Sequence, residues 1–183
     1  MIAGNGGSAS DADHIVAELM KSFLKERPLT EIQKLNILAV DDARGNEMID
    51  KLQNGLPAIS LCDNSPLMTA IMNDCDASLI YAQKIMGIGM PEDVFIGIST
   101  SGNSPNIINA AIVAKSKNIK VIGLTGENES LLQKYSDICI KVPESETYKV
   151  QELHLPVYHC LCMMVEEHFY GKNETSLAAS QVV

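Results

Sequence analysis

The sequence predicts a doubly wound α/β fold built on a parallel sheet. Two observations carry this. From Asp93 onward, short β-branched runs alternate with segments of helical spacing, each pair joined by a turn. The first half of the chain then repeats the same strand, turn and helix scheme. Successive strands separated by helices pair in parallel and are covered on both faces. The length is compatible: 183 residues fold to about 8,600 Å² of surface from about 28,700 Å² unfolded, enough for one substantial core. A single domain over residues 1–172 is expected, with 173–183 as a loose tail.

Taken in order, Ile2-Ala3 reads as the tail of a strand, followed by the turn Gly4-Asn5-Gly6-Gly7-Ser8 and a helix over Ser10 to Leu24. Two or three residues are few for a strand inside a sheet, where about five is usual, so preceding residues or another chain are expected beside it. Between Arg27 and Gly55, Glu31 to Val40 and Asn46 to Gln53 both show helical spacing, a small helical insertion over about 28–55. Pro57 to Cys62 reads as a strand and Pro66 to Met86 as one or two helices. Val94 to Ile98 is a strand of the fully buried kind. Pro105 to Asn118 places Ile107, Ile108, Ala111, Ile112 and Ala114 on one helical face, with Ser104 as cap and Pro105 at the first helical position. Strand Lys120 to Thr125, a short helix at Ser130 to Tyr135 and strand Asp137 to Val142 follow. The last helix, about Val150 to Tyr170, contains Pro156, which should kink or break it.

Composition narrows the function. Fourteen Lys and Arg against 23 Asp and Glu give a net charge of −9, the reverse of a nucleic-acid or anionic-membrane binder. Small anions remain open, because backbone N–H groups bind phosphate without basic side chains. The five cysteines form no C-x-x-C pair and sit mostly in apolar runs, which reads as buried free thiols of a reducing compartment. With no apolar span of membrane length, the expected location is cytoplasmic.

Two turns have the composition of phosphate or sugar loops: Gly4-Asn5-Gly6-Gly7-Ser8 and Ser99-Thr100-Ser101-Gly102-Asn103-Ser104. Each follows a strand and opens a helix, where glycines admit a ligand to the backbone and free N–H groups carry partial positive charge. Ser, Gly and Asn are also ordinary turn and cap residues. His14 and Glu18 stand i, i+4 on one helix face, which suits an acid–base pair, two ligands of one metal, or an ordinary surface contact. His154 and His168 read as core histidines with satisfied hydrogen bonds.

Across these stretches the chain resembles the phosphoheptose isomerase group of the SIS (sugar isomerase) domain family. The matching residues are Gly4 to Ser8 through Asp11, His14 and Glu18; Asn73-Asp74; Ile98 to Ser104; Leu124-Thr125-Gly126; and Gln151-Glu152 through His159. The resemblance implies a flavodoxin-like, three-layer α/β/α SIS domain that isomerises a phosphosugar between aldose and ketose. The implied substrate is sedoheptulose 7-phosphate, giving D-glycero-D-manno-heptose 7-phosphate. It implies that Ser99, Thr100, Ser101 and Ser104 hold the phosphate, and that Asn5, Gly6, Gly7, Ser8, Asp74, Thr125 and Gln151 line the sugar. Glu18 and His159 would be the acid–base residues, and His14, Glu18, Gln151 and His159 a zinc (Zn2+) site. Family members form homotetramers with interfacial active sites. Along one continuous helix Gln151 and His159 would stand about 12 Å apart, so sharing a metal needs a helix break or ligands from two chains. The insertion departs from the family pattern, as do Ser22 and Tyr148 where a substrate-side Arg and Asp are usual. A non-catalytic SIS module that senses a phosphosugar or serves as an adaptor is the alternative. The adaptors, however, carry Arg at the position of Ser101 and lack the His and Glu pair.

Overall fold

The computed structural model describes residues 1–171, so the expected tail at 173–183 lies outside the described residues. These residues group into two compact units: Met1–Ala17 with Ala58–Tyr158, and Glu18–Pro57 with the chain from His159 onward.

The first unit carries a parallel sheet of β1 (Ile2–Ala3), β2 (Val94–Ile98), β3 (Lys120–Thr125) and β4 (Ile138–Lys141), adjacent in that order. Register is Ile2 on Ile96, Ile96 on Ile122, and Ile122 on Ile138. The segment expected as strand Pro57 to Cys62 contributes only a parallel bridge, Ser60 on Ile2. Two hydrogen bonds make it, Ile2 N–H to Ile59 O at 3.0 Å and Leu61 N–H to Ile2 O at 2.8 Å. Pro57 cannot donate, which confines this segment to an edge. With Ser60 counted as the second strand position in the chain, the spatial order is 2-1-3-4-5. The order reverses between β1 and β2, and ligands of doubly wound sheets bind at the carboxyl ends of the two strands flanking such a reversal.

Strand side chains alternate between faces. Phe95 and Val121 enter a cluster with Ile71 of α4 (Ser65–Asp74), Tyr81 and Ile85 of α5 (Ile80–Ile88), and Ile107, Ala110, Ala111 and Ala114 of α6 (Pro105–Ser116). Ile98 and Leu124, of opposite parity, are buried on the other face. That side is supplied by buried Ala12 and Ile15 of α1 (Gly7–Met20) and Val150 and Tyr158 of α8 (Thr147–Tyr170). A 3₁₀ turn at Ala77–Leu79 separates α4 from α5, and the short α7 is Leu131–Tyr135.

Helix α1 begins three residues earlier than expected and ends at Met20. Helix α8 runs unbroken through Pro156. The missing N–H of Pro156 would have met the carbonyl of Glu152, and both residues are exposed. In the second unit the insertion forms α2 (Glu31–Val40) and α3 (Asp42–Met48). Thr30 and Gln33 make a reciprocal capping box for α2. The cysteines are all free thiols, yet only Cys162 is buried; Cys75 and Cys160 are exposed. No helix among the described residues is long and apolar enough to cross a membrane.

Candidate active site

The two expected loops lie at the carboxyl ends of β1 and β2, on either side of the reversal in strand order. In the first, Gly4 O accepts from Tyr81 Oη at 2.5 Å and Asn5 Oδ1 from the same hydroxyl at 3.2 Å. Burial pushes the Tyr81 phenol up, so it remains a donor at neutral pH. Gly6 has φ +56°, a left-handed conformation that favours glycine, and Ser8 behind it is buried.

In the second loop Gly102 has φ +64° and donates to Ser99 O at 2.9 Å. Ser104 stands at the N-cap of α6 without capping it, because its hydroxyl pairs with that of Ser99 at 3.0 Å. Ser101 Oγ accepts from Asn103 N–H at 3.2 Å. The carbonyl of Thr100 accepts from Gly126 N–H at 3.0 Å, tying the loop to the end of β3. The hydroxyls of Ser99, Thr100, Ser101 and Ser104 are thus concentrated within six residues at a helix start, an arrangement that can take an anion.

The loops are joined to each other. Asn5 Nδ2 donates to Asn106 Oδ1 at 2.9 Å and Asn106 Nδ2 to Asn5 Oδ1 at 2.8 Å, a reciprocal amide pair across the reversal point. Helix α8 lies against the first loop and the end of β3. A Cβ on Gly7 would lie 2.7 Å from Gln151 Nε2, and one on Gly126 would lie 3.1 Å from Val150 Cγ2. Tyr158 Oη meets His14 Nδ1 at 2.9 Å. Burial raises the nearby Asp11 carboxyl, partly offset by the His14 charge and a hydrogen bond from Tyr158.

Two expected sugar-side residues are less engaged. Thr125 is buried, and its hydroxyl donates to Gly126 O at 3.0 Å. Asp74 is exposed at the end of α4, where Asn73 Nδ2 donates to it at 2.8 Å. The core-histidine reading is corrected on two counts. His168 is exposed. His154 is fully buried but neither ring nitrogen has a hydrogen bond in good geometry, and burial lowers its pKa although the Thr125 backbone nearby opposes this.

Glu18 and His159 both belong to the second unit. Burial, with the Glu18 charge as the next cause, pushes the Cys162 thiol up to about 11. Cys162 stands three residues beyond His159 on α8, so the Glu18 carboxylate is felt on the segment that carries His159. The Phe23 ring leans on the His159 ring, centroids 5.6 Å apart and planes at 37°. Among the described residues no group of three or more His, Cys, Asp or Glu side chains is disposed to hold a metal ion. The unbroken α8 also keeps Gln151 and His159 about 12 Å apart along its axis.

Sequence reasoning missed Asn106, Tyr81 and Tyr158, which hold the expected residues in place. Asn106 was within reach, two residues past Ser104 in a Ser/Asn-rich turn; the tyrosines lie 76 and 144 residues from their partners Asn5 and His14.

Comparison with known proteins agrees with this geometry. The SIS domain family matches residues 42–126. Phosphoheptose isomerase of Aneurinibacillus thermoaerophilus is 38% identical over 177 residues, covering 97% of this chain and 76% of that protein. Phosphoheptose isomerase 2 of Campylobacter jejuni is 37% identical over 172 residues, 94% of this chain and 73% of that protein. The solved phosphoheptose isomerase of Francisella tularensis superposes with a TM-score of 0.72 at 30% identity, over 91% of this chain and 75% of that one. That of Neisseria gonorrhoeae gives 0.70 at 29%, with the same coverage. The chain belongs to the phosphoheptose isomerase family of SIS-domain proteins.

Proposed function

We propose that this protein is an aldose–ketose isomerase that interconverts sedoheptulose 7-phosphate and D-glycero-D-manno-heptose 7-phosphate. The observation that carries the reading is the pair of glycine- and hydroxyl-rich loops flanking the reversal in strand order, locked together by Asn5 and Asn106. The phosphate is taken by Ser99, Thr100, Ser101 and Ser104, and the sugar by Asn5, Gly6, Gly7, Ser8, Asp74, Thr125 and Gln151.

The reaction moves a proton between C1 and C2 through an enediol. It needs a base for the carbon-bound proton and an acid for the carbonyl oxygen. Glu18 is the base and His159 the acid in this reading. In this reading the N–H groups of Gly6 and Gly7, at the α1 start, face the developing negative charge. If zinc is bound, His14, Glu18, Gln151 and His159 would hold it, and it would stabilise the developing oxyanion.

A homotetramer with interfacial sites belongs to the same proposal. It is supported by exposed Leu153, Leu155, Met163, Met164 and Val165 on α8, which a lone chain leaves in water. A cytoplasmic setting is proposed as well, supported by five free thiols. The test is turnover of a panel of five- to seven-carbon sugar phosphates, with light scattering on the same sample. Conversion of the heptulose phosphate by an oligomer is expected. Tight binding without turnover would replace the isomerase with a sensing module.

A further inference from the structure

The second unit contains a buried ion pair that the proposed chemistry does not use. Arg27 and Glu166 have side chains 0% and 1% exposed, with Nη2 to Oε1 at 2.8 Å. Glu166 Oε1 also accepts from Arg27 Nε at 2.9 Å and from Phe23 N–H at 2.9 Å. Its Oε2 accepts from Leu24 N–H at 2.8 Å and Lys25 N–H at 3.1 Å. The guanidinium lies over the Tyr170 ring at 4.9 Å.

Each partner also reaches a residue proposed for catalysis. Arg27 Nη1 donates to Leu19 O at 2.6 Å and Nη2 to Glu18 O at 3.3 Å. Those carbonyls belong to the last turn of α1, where acceptors lack helical partners and the dipole is negative, so a guanidinium both caps and neutralises the end. Glu166 follows His159 by seven residues on α8, about two turns, and so lies on the same helix face. By gripping the Phe23 N–H it fixes the start of the segment whose aromatic ring leans on the His159 imidazole.

Stability alone does not account for the pair. Apolar residues of similar volume in place of a buried ion pair are often neutral or stabilising. Apolar side chains, however, cannot cap two carbonyls at one end and three backbone N–H groups at the other.

We propose that Arg27, Glu166 and Phe23 form a positioning frame for the acid–base pair: Arg27 sets the backbone of Glu18, and Glu166 acts through Phe23 to set the His159 ring. The roles of Glu18 and His159 rest on the isomerase reading above. The frame itself is a statement about geometry.

The test uses the full chain and three variants, Phe23→Leu, Phe23→Tyr and the double replacement Arg27→Met with Glu166→Leu. In Phe23→Leu, kcat for sedoheptulose 7-phosphate falls about tenfold or more with KM within about twofold, the signature of misplaced reacting groups. Phe23→Tyr restores most of it. The double replacement stays folded by circular dichroism and loses kcat in the same way. Independently of turnover, the His159 ring signals in a carbon–proton NMR spectrum shift in Phe23→Leu and in the double replacement, because the aromatic ring no longer leans on the imidazole. Unmoved His159 signals in a folded double replacement would overturn the frame, as would unchanged kcat in both Phe23→Leu and that replacement. If the unaltered chain turns over no sugar phosphate, the isomerase reading fails, and the His159 signals still decide whether the frame exists.

Discussion

Replacing Asn106 with Ala isolates the coupling between the two loops, because Asn106 is not among the residues proposed to touch substrate. The change removes both halves of the amide pair, at 2.9 and 2.8 Å, and the 3.0 Å bond from Ile107 N–H to Asn106 Oδ1. A hydrogen bond contributes about 0.5–1.5 kcal/mol net, and exposed ones fall toward the low end because water replaces the lost partner. Three such bonds come to about 1–2 kcal/mol in all. Tyr81 still holds Asn5 at 3.2 Å, so the first loop is loosened rather than released. If sugar phosphate binds only the bridged arrangement, apparent affinity falls with the population of that arrangement. The upper bound is then about five- to thirtyfold weaker binding. Titration calorimetry with sedoheptulose 7-phosphate, beside urea unfolding, measures both quantities. Affinity within about twofold of the unaltered chain, alongside the expected loss of stability, would refute the coupling and leave the amide pair a purely structural contact.

Two further perturbations test the surroundings of the site. Gly7→Ala drives a methyl to 2.7 Å from Gln151 Nε2, the far end of a flexible side chain; the fold should persist by circular dichroism while turnover falls at least about tenfold, since Gln151 must leave its place. His154→Leu removes a buried imidazole whose pKa burial holds below 6.5. In the unaltered chain the unfolded state takes up the proton first as pH drops below 6.5, so stability declines from there toward the lower folded-state pKa. The variant should lack that decline, and urea unfolding at pH 5 and pH 8 should show its advantage to be larger at pH 5.

How far the sequence disclosed the molecule depended on whether the causes were local. β2 and β3 fall at the residues expected because strands buried on both faces must be nearly continuous apolar runs, and Ser/Gly turns bound them. The edge segment at Ser60 has the same kind of composition, yet only two hydrogen bonds define it, and composition does not reveal how many partners a strand finds. Pro156 was read as a breaker because its lost hydrogen bond is a local fact. Exposure of Pro156 and Glu152, the two residues that bond would have joined, is a tertiary one. Both loops were legible as residue types, as was the i, i+4 spacing of His14 and Glu18. Their bracing by Asn106, Tyr81 and Tyr158 was not, since each contact joins residues more than 70 positions apart. The buried thiols failed for a related reason: Cys160 is exposed on α8 and Cys75 at the C-terminal end of α4.

The helical insertion leaves and rejoins the chain at nearly one point. Asn54 N–H donates to Arg27 O at 2.7 Å, Asn54 Nδ2 donates to Pro28 O at 2.7 Å, and Pro28 bridges Gln53 in antiparallel fashion. An excursion with its feet pinned together places no tension on what it departs from, and the entropy of closing such a loop grows only slowly with its length. Residues between Pro28 and Gln53 can therefore be shortened, extended or exchanged with little effect on the Arg27 carbonyl that anchors them. The same junction offers a graft point, where a foreign peptide or fluorescent reporter with closely spaced ends would be carried as a passenger.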